Sequence, residues 1–147
     1  MPGYRAHAVG GVAAFGLLYW VSSFYFSPSL PTILQWLSVA VLGALFPDVD
    51  VKSKGQGIFY KMMLICLVLL LWRRQMQLFV MASFVALLPV LVRHRGLFHR
   101  AWFLIAVPFG VAIAAGSSFP AYKESFILVA GFFVAGALSH ILLDRIF

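Results

Sequence analysis

Apolar residues run along this chain in six long stretches, Ala8 to Phe26, Leu30 to Phe46, Gly57 to Trp72, Met76 to Val92, Ala101 to Gly116 and Phe126 to Leu143, with short polar connections between them. The stretches lack inside-outside alternation. In lipid every backbone polar group must find a partner within the protein, so each stretch predicts a helix rather than a barrel strand. Several are shorter than the roughly 20 residues that cross about 30 Å of hydrocarbon, and are expected to extend into their polar flanks. The breaks fall at Ser27-Pro28-Ser29 with Pro31, at Pro47 with Lys52 to Gly57, at Arg73-Arg74-Gln75, at the opening between Arg93 and Arg100, and at Gly116 to Lys123 with Pro120. Pro89 and Pro108 lie inside stretches and predict local kinks. Gly10, Gly11, Gly16, Gly131 and Gly136 predict close approach between neighbouring helices.

Composition turns this pattern into a membrane assignment. The 147 residues are 63% hydrophobic and 10% charged, with mean hydropathy +1.01, whereas soluble domains are about 45–50% apolar. The expected fold is an all-α integral membrane protein, a compact bundle of about six transmembrane helices in a single domain over residues 1–147. The first stretch follows Arg5 as a signal peptide would, but Ser22 to Phe26 offers no small-x-small cleavage site, so it is read as a retained helix. Trp20, Trp36, Trp72 and Trp102 are read as interface or packing anchors. Cys66 lies within the third stretch, where it is read as packing; as the single cysteine it forms no internal disulfide.

Eleven Lys and Arg against four Asp and Glu give a net charge of +7. In a membrane protein such an excess reports topology and anionic lipid, not nucleic acid. With six crossings, Arg5, Lys52, Lys54, Arg93, Arg95, Arg100 and Arg145 share one side, joined by a snorkelling Lys61, and Arg73, Arg74 and Lys123 take the other. The positive-inside rule then places both termini in the cytoplasm.

The same parity sorts the chemistry. His7 stands at the entry to the first helix, Asp48 and Asp50 just beyond the second, His94 and His99 between the fourth and fifth, and His140 and Asp144 near the end of the sixth. These are all the histidines and aspartates of the chain, and all fall on the cytoplasmic side. His140 and Asp144 are four apart, one above the other on a helix, where they form a simple ion pair or share one cation. Asp48 and Asp50 alternate after a helix-ending proline, an arrangement equally natural for a loop acidic pair and for oxygens that share an ion. Gly96 lets the backbone turn between His94 and His99, while Arg93, Arg95 and Arg100 either set topology or hold anionic oxygens. Glu124 falls on the opposite side and reads as a solvated loop residue.

Taken together, Ala6 to Gly11 (AHAVGG), Phe46 to Asp50 (FPDVD), His94 to His99 (HRGLFH) and Ser139 to Asp144 (SHILLD) resemble the motif series of the YdjM-like family of bacterial membrane-bound metal-dependent hydrolases. The resemblance spans His7 to Asp144. It implies metal ligation by His7, Asp48, Asp50, His99, His140 and Asp144, with His94 as ligand or acid/base. Phe98 stands where the family pattern has Thr, and Arg100 where it has a small hydroxyl residue, departures that bear on hydrogen bonding and substrate selection more than on metal binding.

Histidine mixed with carboxylate suits one or two divalent transition-metal ions, zinc or manganese before calcium or magnesium. The expected function is hydrolysis of a phosphoester of an amphipathic lipid at the cytoplasmic face of the bacterial inner membrane, with Arg95 steadying phosphate charge. The expected partners are the lipid bilayer and an anionic lipid or phosphoester substrate, with no nucleic acid; oligomeric state is not legible. Two rivals remain open at this level: a divalent-metal carrier, and a non-enzymatic bundle stabilised by a metal or binding haem.

Overall fold

A computed structural model describes residues 3–91 and 96–146, apart from the side chains of residues 77, 78, 81 and 88. Six α-helices follow one another: α1 (Tyr4–Ser22), α2 (Leu30–Leu45), α3 (Lys54–Trp72), α4 (Met76–Leu91), α5 (Ala101–Ser118) and α6 (Lys123–Ile146). Short 3-10 turns at Phe46–Asp50, Leu97–His99 and Pro120–Tyr122 join them. The helix starts fall within a few residues of the apolar boundaries. α6 runs a turn into its polar flank at the C-terminal end, far enough to carry both His140 and Asp144.

Among the described residues four stretches, Leu30–Asp50, Lys54–Trp72, Ala101–Ser118 and Pro120–Ile146, are long and apolar enough to cross a membrane. The six expected crossings are thus six helices of which four have full span character. α1 opens with a polar turn holding Arg5 and His7, and 16 residues of α4 are described.

The helices divide into a tight group and a looser hairpin. α2 and α6 form the most extensive seam, α1 packs on both, and α5 packs on α6. Trp36 of α2 stacks on Phe132 of α6, ring centroids 4.7 Å apart, and with Ala40 these make the buried centre. Trp20, Trp72 and Trp102 are exposed, as interface anchors require. α3 packs on α4 and on the Phe46–Asp50 turn, with only a slight seam to α2. Most of its surface therefore faces lipid. Cys66 is exposed there, which corrects its assignment to packing.

Small residues set the spacing of α2 and α6. A methyl group added at Gly136 would run into the Ala40 carbonyl, and one at Gly43 into the Phe133 carbonyl. Gly11 of α1 also lies close to α2: its added carbon would stand 2.8 Å from Ala44 Cβ. Gly16 and Gly131, expected to serve the same purpose, have nothing within 4 Å. Gly43 and Gly55, the latter pressed against the Leu45 carbonyl, take that role instead.

α3 ends in a hydrogen-bond pattern closed by Gln75 N–H to the Leu70 carbonyl and Arg74 N–H to the Leu71 carbonyl. Arg74 takes the left-handed conformation this ending requires, with φ of 55°. The turn carries Arg73 and Arg74 at the end of the bundle opposite the histidines.

Candidate metal centre

Pro47 is where the site begins. It ends the regular hydrogen bonding of α2 and leaves the chain in the tighter Phe46–Asp50 turn. In such a turn the carbonyl of Ala44 looks three residues ahead for a donor, and proline has no N–H to give. His140 supplies one. Its Nδ1 lies 2.7 Å from the Ala44 oxygen, and because a carbonyl only accepts, the ring carries its proton on Nδ1 and directs Nε2 away from it. The glycine seam makes this possible: Gly136 rests on Ala40, and one turn further along both helices His140 meets Ala44.

His140 is completely buried, and its Nε2 makes no hydrogen bond. Asp48 Oδ1 and Asp144 Oδ2 each stand 3.5 Å from that nitrogen. His99 Nε2 is 3.9 Å from Asp48 Oδ1 and 3.8 Å from Asp144 Oδ2. His7, in the first turn of α1 and 2% exposed, stacks on His140 with ring centroids 3.7 Å apart and planes 16° from parallel. Its Nε2 lies 3.5 Å from Asp144 Oδ1. Asp144 therefore offers one oxygen to His7 and the other to His99 and His140.

The turn holding Asp48 is braced from the next helix. Ser53 donates to the Asp48 carbonyl at 2.7 Å and accepts from Gln56 N–H at 3.0 Å, capping α3 while tying it to the turn. Burial holds the His99 imidazole below its ordinary value. The field of His140 adds to this, and Asp50, Asp48 and Asp144 oppose it. The outcome is a ring held toward its neutral form.

Two three-residue groups bring donor atoms within 4.8 Å of one another: His7, His140 and Asp144; and Asp48, His99 and His140. Of the residues singled out from sequence, the structure gathers these five. Asp50 sits on the same turn as Asp48 and acts on His99 through its charge, but belongs to neither group. His94, Arg93 and Arg95 lie outside the described residues. Arg100 is exposed at the start of α5.

The donor set fits a small divalent cation. Two ligands of a tetrahedral ion with bonds of about 2.0–2.1 Å are separated by roughly 3.3 Å. The 3.5–3.9 Å nitrogen–oxygen spacings lie just above that value, with Asp48 and Asp144 on different three-residue groups that share His140. A ring nitrogen facing two carboxylates calls for positive charge between them, which either a proton on Nε2 or a bound metal ion provides.

The fold and this cluster define a class: a helical membrane protein with histidines and carboxylates gathered at one end of the bundle. The profile of the YdjM inner membrane protein family matches residues 1–146, and the chain belongs to that family. It is a multi-pass inner-membrane protein, associated with the lipid bilayer. Neither the curated proteins nor the solved structures contained a match to it.

Two features of the site were missed in the sequence. One is the Ala44 carbonyl as the anchor of His140; the other is the role of Gly43 and Gly55. The equal four-residue steps from Ala40 to Ala44 and from Gly136 to His140 were the available signal, since small residues on one helix face point to close packing one turn from the ligand.

Proposed function

We propose that this protein is a metal-dependent hydrolase acting on a phosphoester of an amphipathic lipid at the cytoplasmic face of the membrane. The observation that carries the reading is His140: buried, tethered through Nδ1, and aimed through Nε2 at Asp48 and Asp144. His140, Asp48, Asp144 and His99 would hold the ion, with His7 on the far oxygen of Asp144. One nitrogen lone pair serves one ion, so a shared His140 favours a single principal cation. Zinc or manganese suits the mixed donors.

A divalent cation bound here supplies Lewis acidity and lowers the pKa of coordinated water. The chain supplies the rest. The Ala44 carbonyl fixes the tautomer and tilt of His140, as partners of metal-bound histidines commonly do. Asp48 is 27% exposed, against 0% for His140, so the cluster is open on the Asp48 side, where water and substrate can approach. Arg95 and its neighbours Arg93 and Arg100 would hold phosphate oxygens, and His94 would act as ligand or as acid/base.

A purely structural metal is the second reading, favoured by the near-complete burial of His7 and His140. A carrier is less supported, because transport sites lie near the bilayer midplane and these ligands sit at one end of the bundle. Purified protein should hydrolyse at least one member of a panel of phospholipids and soluble phosphoesters. Chelator should abolish that activity and added metal restore it. Hydrolysis unaffected by chelator, or an Asp48→Ala protein that unfolds instead of losing activity, would favour the other readings.

A further inference from the structure

A cavity of about 640 Å³ lies between the α3–α4 hairpin and the group formed by α2, α5 and α6. Its volume is within the about 300–1,000 Å³ usual for small-molecule sites. Among the described residues, not one lining side chain is polar. A space of this kind stays dry, and left empty it forfeits dispersion contacts along every wall. In a bilayer the material that fills it is hydrocarbon.

Shape and position narrow the occupant. On α5 the lining extends from Phe103 to Ala115, roughly 18 Å at about 1.5 Å per residue. This is a little over half of the about 30 Å hydrocarbon thickness, the depth of one leaflet. At one end the wall is formed by Phe46 and Phe98, whose rings meet edge-on with centroids 5.4 Å apart. Asp48 follows Phe46 by two residues and His99 follows Phe98 directly, so the apolar cavity ends where the metal-ligand cluster begins. Among the described residues α4 packs chiefly on α3 and has no extensive seam with α5, which leaves a lateral way in from the bilayer.

We propose that the cavity holds one acyl chain of a membrane glycerolipid, inserted between α4 and α5, with its polar end at the Phe46–Phe98 boundary and its ester groups beside the histidine–aspartate cluster. A leaflet-deep cavity matches an acyl chain and is outrun by a polyprenyl chain. That the bound lipid is also hydrolysed rests on the reading above; that it is bound rests on the cavity.

The test uses the full chain in nanodiscs containing phosphatidylglycerol with a diazirine midway along one acyl chain. After irradiation, adducts are mapped by mass spectrometry. Labelling is expected at cavity residues such as Met63, Phe103 and Ala115, above the background at Leu64 and Ile113, which are exposed but do not line the cavity. Ala112→Phe and Ala130→Phe, which fill the cavity from α5 and α6, should remove the cavity adducts and leave the background unchanged. Labelling of the wild type confined to outward-facing residues overturns the proposal without recourse to any variant, as does cavity labelling by a diazirine polyprenyl phosphate in place of the phospholipid. Cavity labelling with no lipid hydrolysis under any metal leaves the acyl site standing and removes the hydrolase. Metal-dependent hydrolysis with no cavity labelling does the reverse.

Discussion

The Nδ1 proton of His140 is given to the carbonyl of Ala44 across 2.7 Å, joining the ends of two helices that are 96 residues apart in sequence. This bond decides which nitrogen faces Asp48 and Asp144, and it ties the chemistry of the site to the packing of α2 against α6. Replacing His140 with Ala should remove the shared ligand of both three-residue groups. Metal affinity is expected to fall by more than the about 10–100-fold seen when only a partner of a ligand is lost. Isothermal titration of the stripped protein with zinc measures this directly.

Gly136→Val tests the packing half of that relationship. The added side chain has the Ala40 backbone in its path, and backbone does not move aside as a flexible side chain does. The helices should separate, moving His140 from Ala44, so metal affinity and thermal stability should fall together. Gly131→Ala is the control: nothing lies within 4 Å of the added carbon, and stability should hold or rise slightly, by up to about 1 kcal/mol from helix propensity. A Gly136→Val protein with unchanged zinc affinity would uncouple the seam from the site.

Asp48 and Asp144 are not equivalent. Asp144 lies 3.5–3.8 Å from His7, His99 and His140, whereas Asp48 lies 3.5–3.9 Å from His140 and His99 and acts on His7 through its charge. Asp144→Asn should therefore weaken metal binding more than Asp48→Asn, and should also destabilise the start of α1 by removing the carboxylate that faces His7. Hydrogen exchange at the first turn of α1 distinguishes the two variants: faster in Asp144→Asn, unchanged in Asp48→Asn.

Acid should release the metal, because protons compete for the imidazole lone pairs. His99 is held below its ordinary value of 6.5 by burial, so it stays neutral to lower pH than an exposed histidine and is not the first ligand lost. Zinc occupancy is expected to be level above about pH 7 and to fall below about pH 6. Zinc release on a pH titration, followed with a fluorescent chelator, shows the midpoint. Occupancy that stays level down to about pH 4 would contradict ligation through imidazole.

Much of the fold was legible because lipid makes apolar runs obligatory: the starts of α2, α4 and α5 coincide with Leu30, Met76 and Ala101, the first residues of their runs. Placing His7, Asp48, His99, His140 and Asp144 at one end followed from counting crossings, since helix direction alternates. What could not be read was depth of contact. Gly131 and Gly136 look alike in the sequence, yet only Gly136 meets a neighbouring backbone, because they lie on different faces of α6. Cys66 likewise sits in a run as apolar as its neighbours, and its exposure depends on how few helices surround α3. The acyl-sized cavity was invisible for the same reason, since apolar residues that line a cavity and those that fill a core have the same composition.

On the proposed reading, His140, Asp48, Asp144 and His99 surround one divalent transition-metal ion. Elemental analysis with X-ray absorption on gently purified wild-type protein tests it most directly. The predicted result is about one zinc or manganese per chain, with mixed nitrogen and oxygen ligands at about 2.0–2.2 Å and the metal lost in His140→Ala. Protein that carries no transition metal, takes none up when it is supplied, or keeps its metal after His140→Ala would contradict the account.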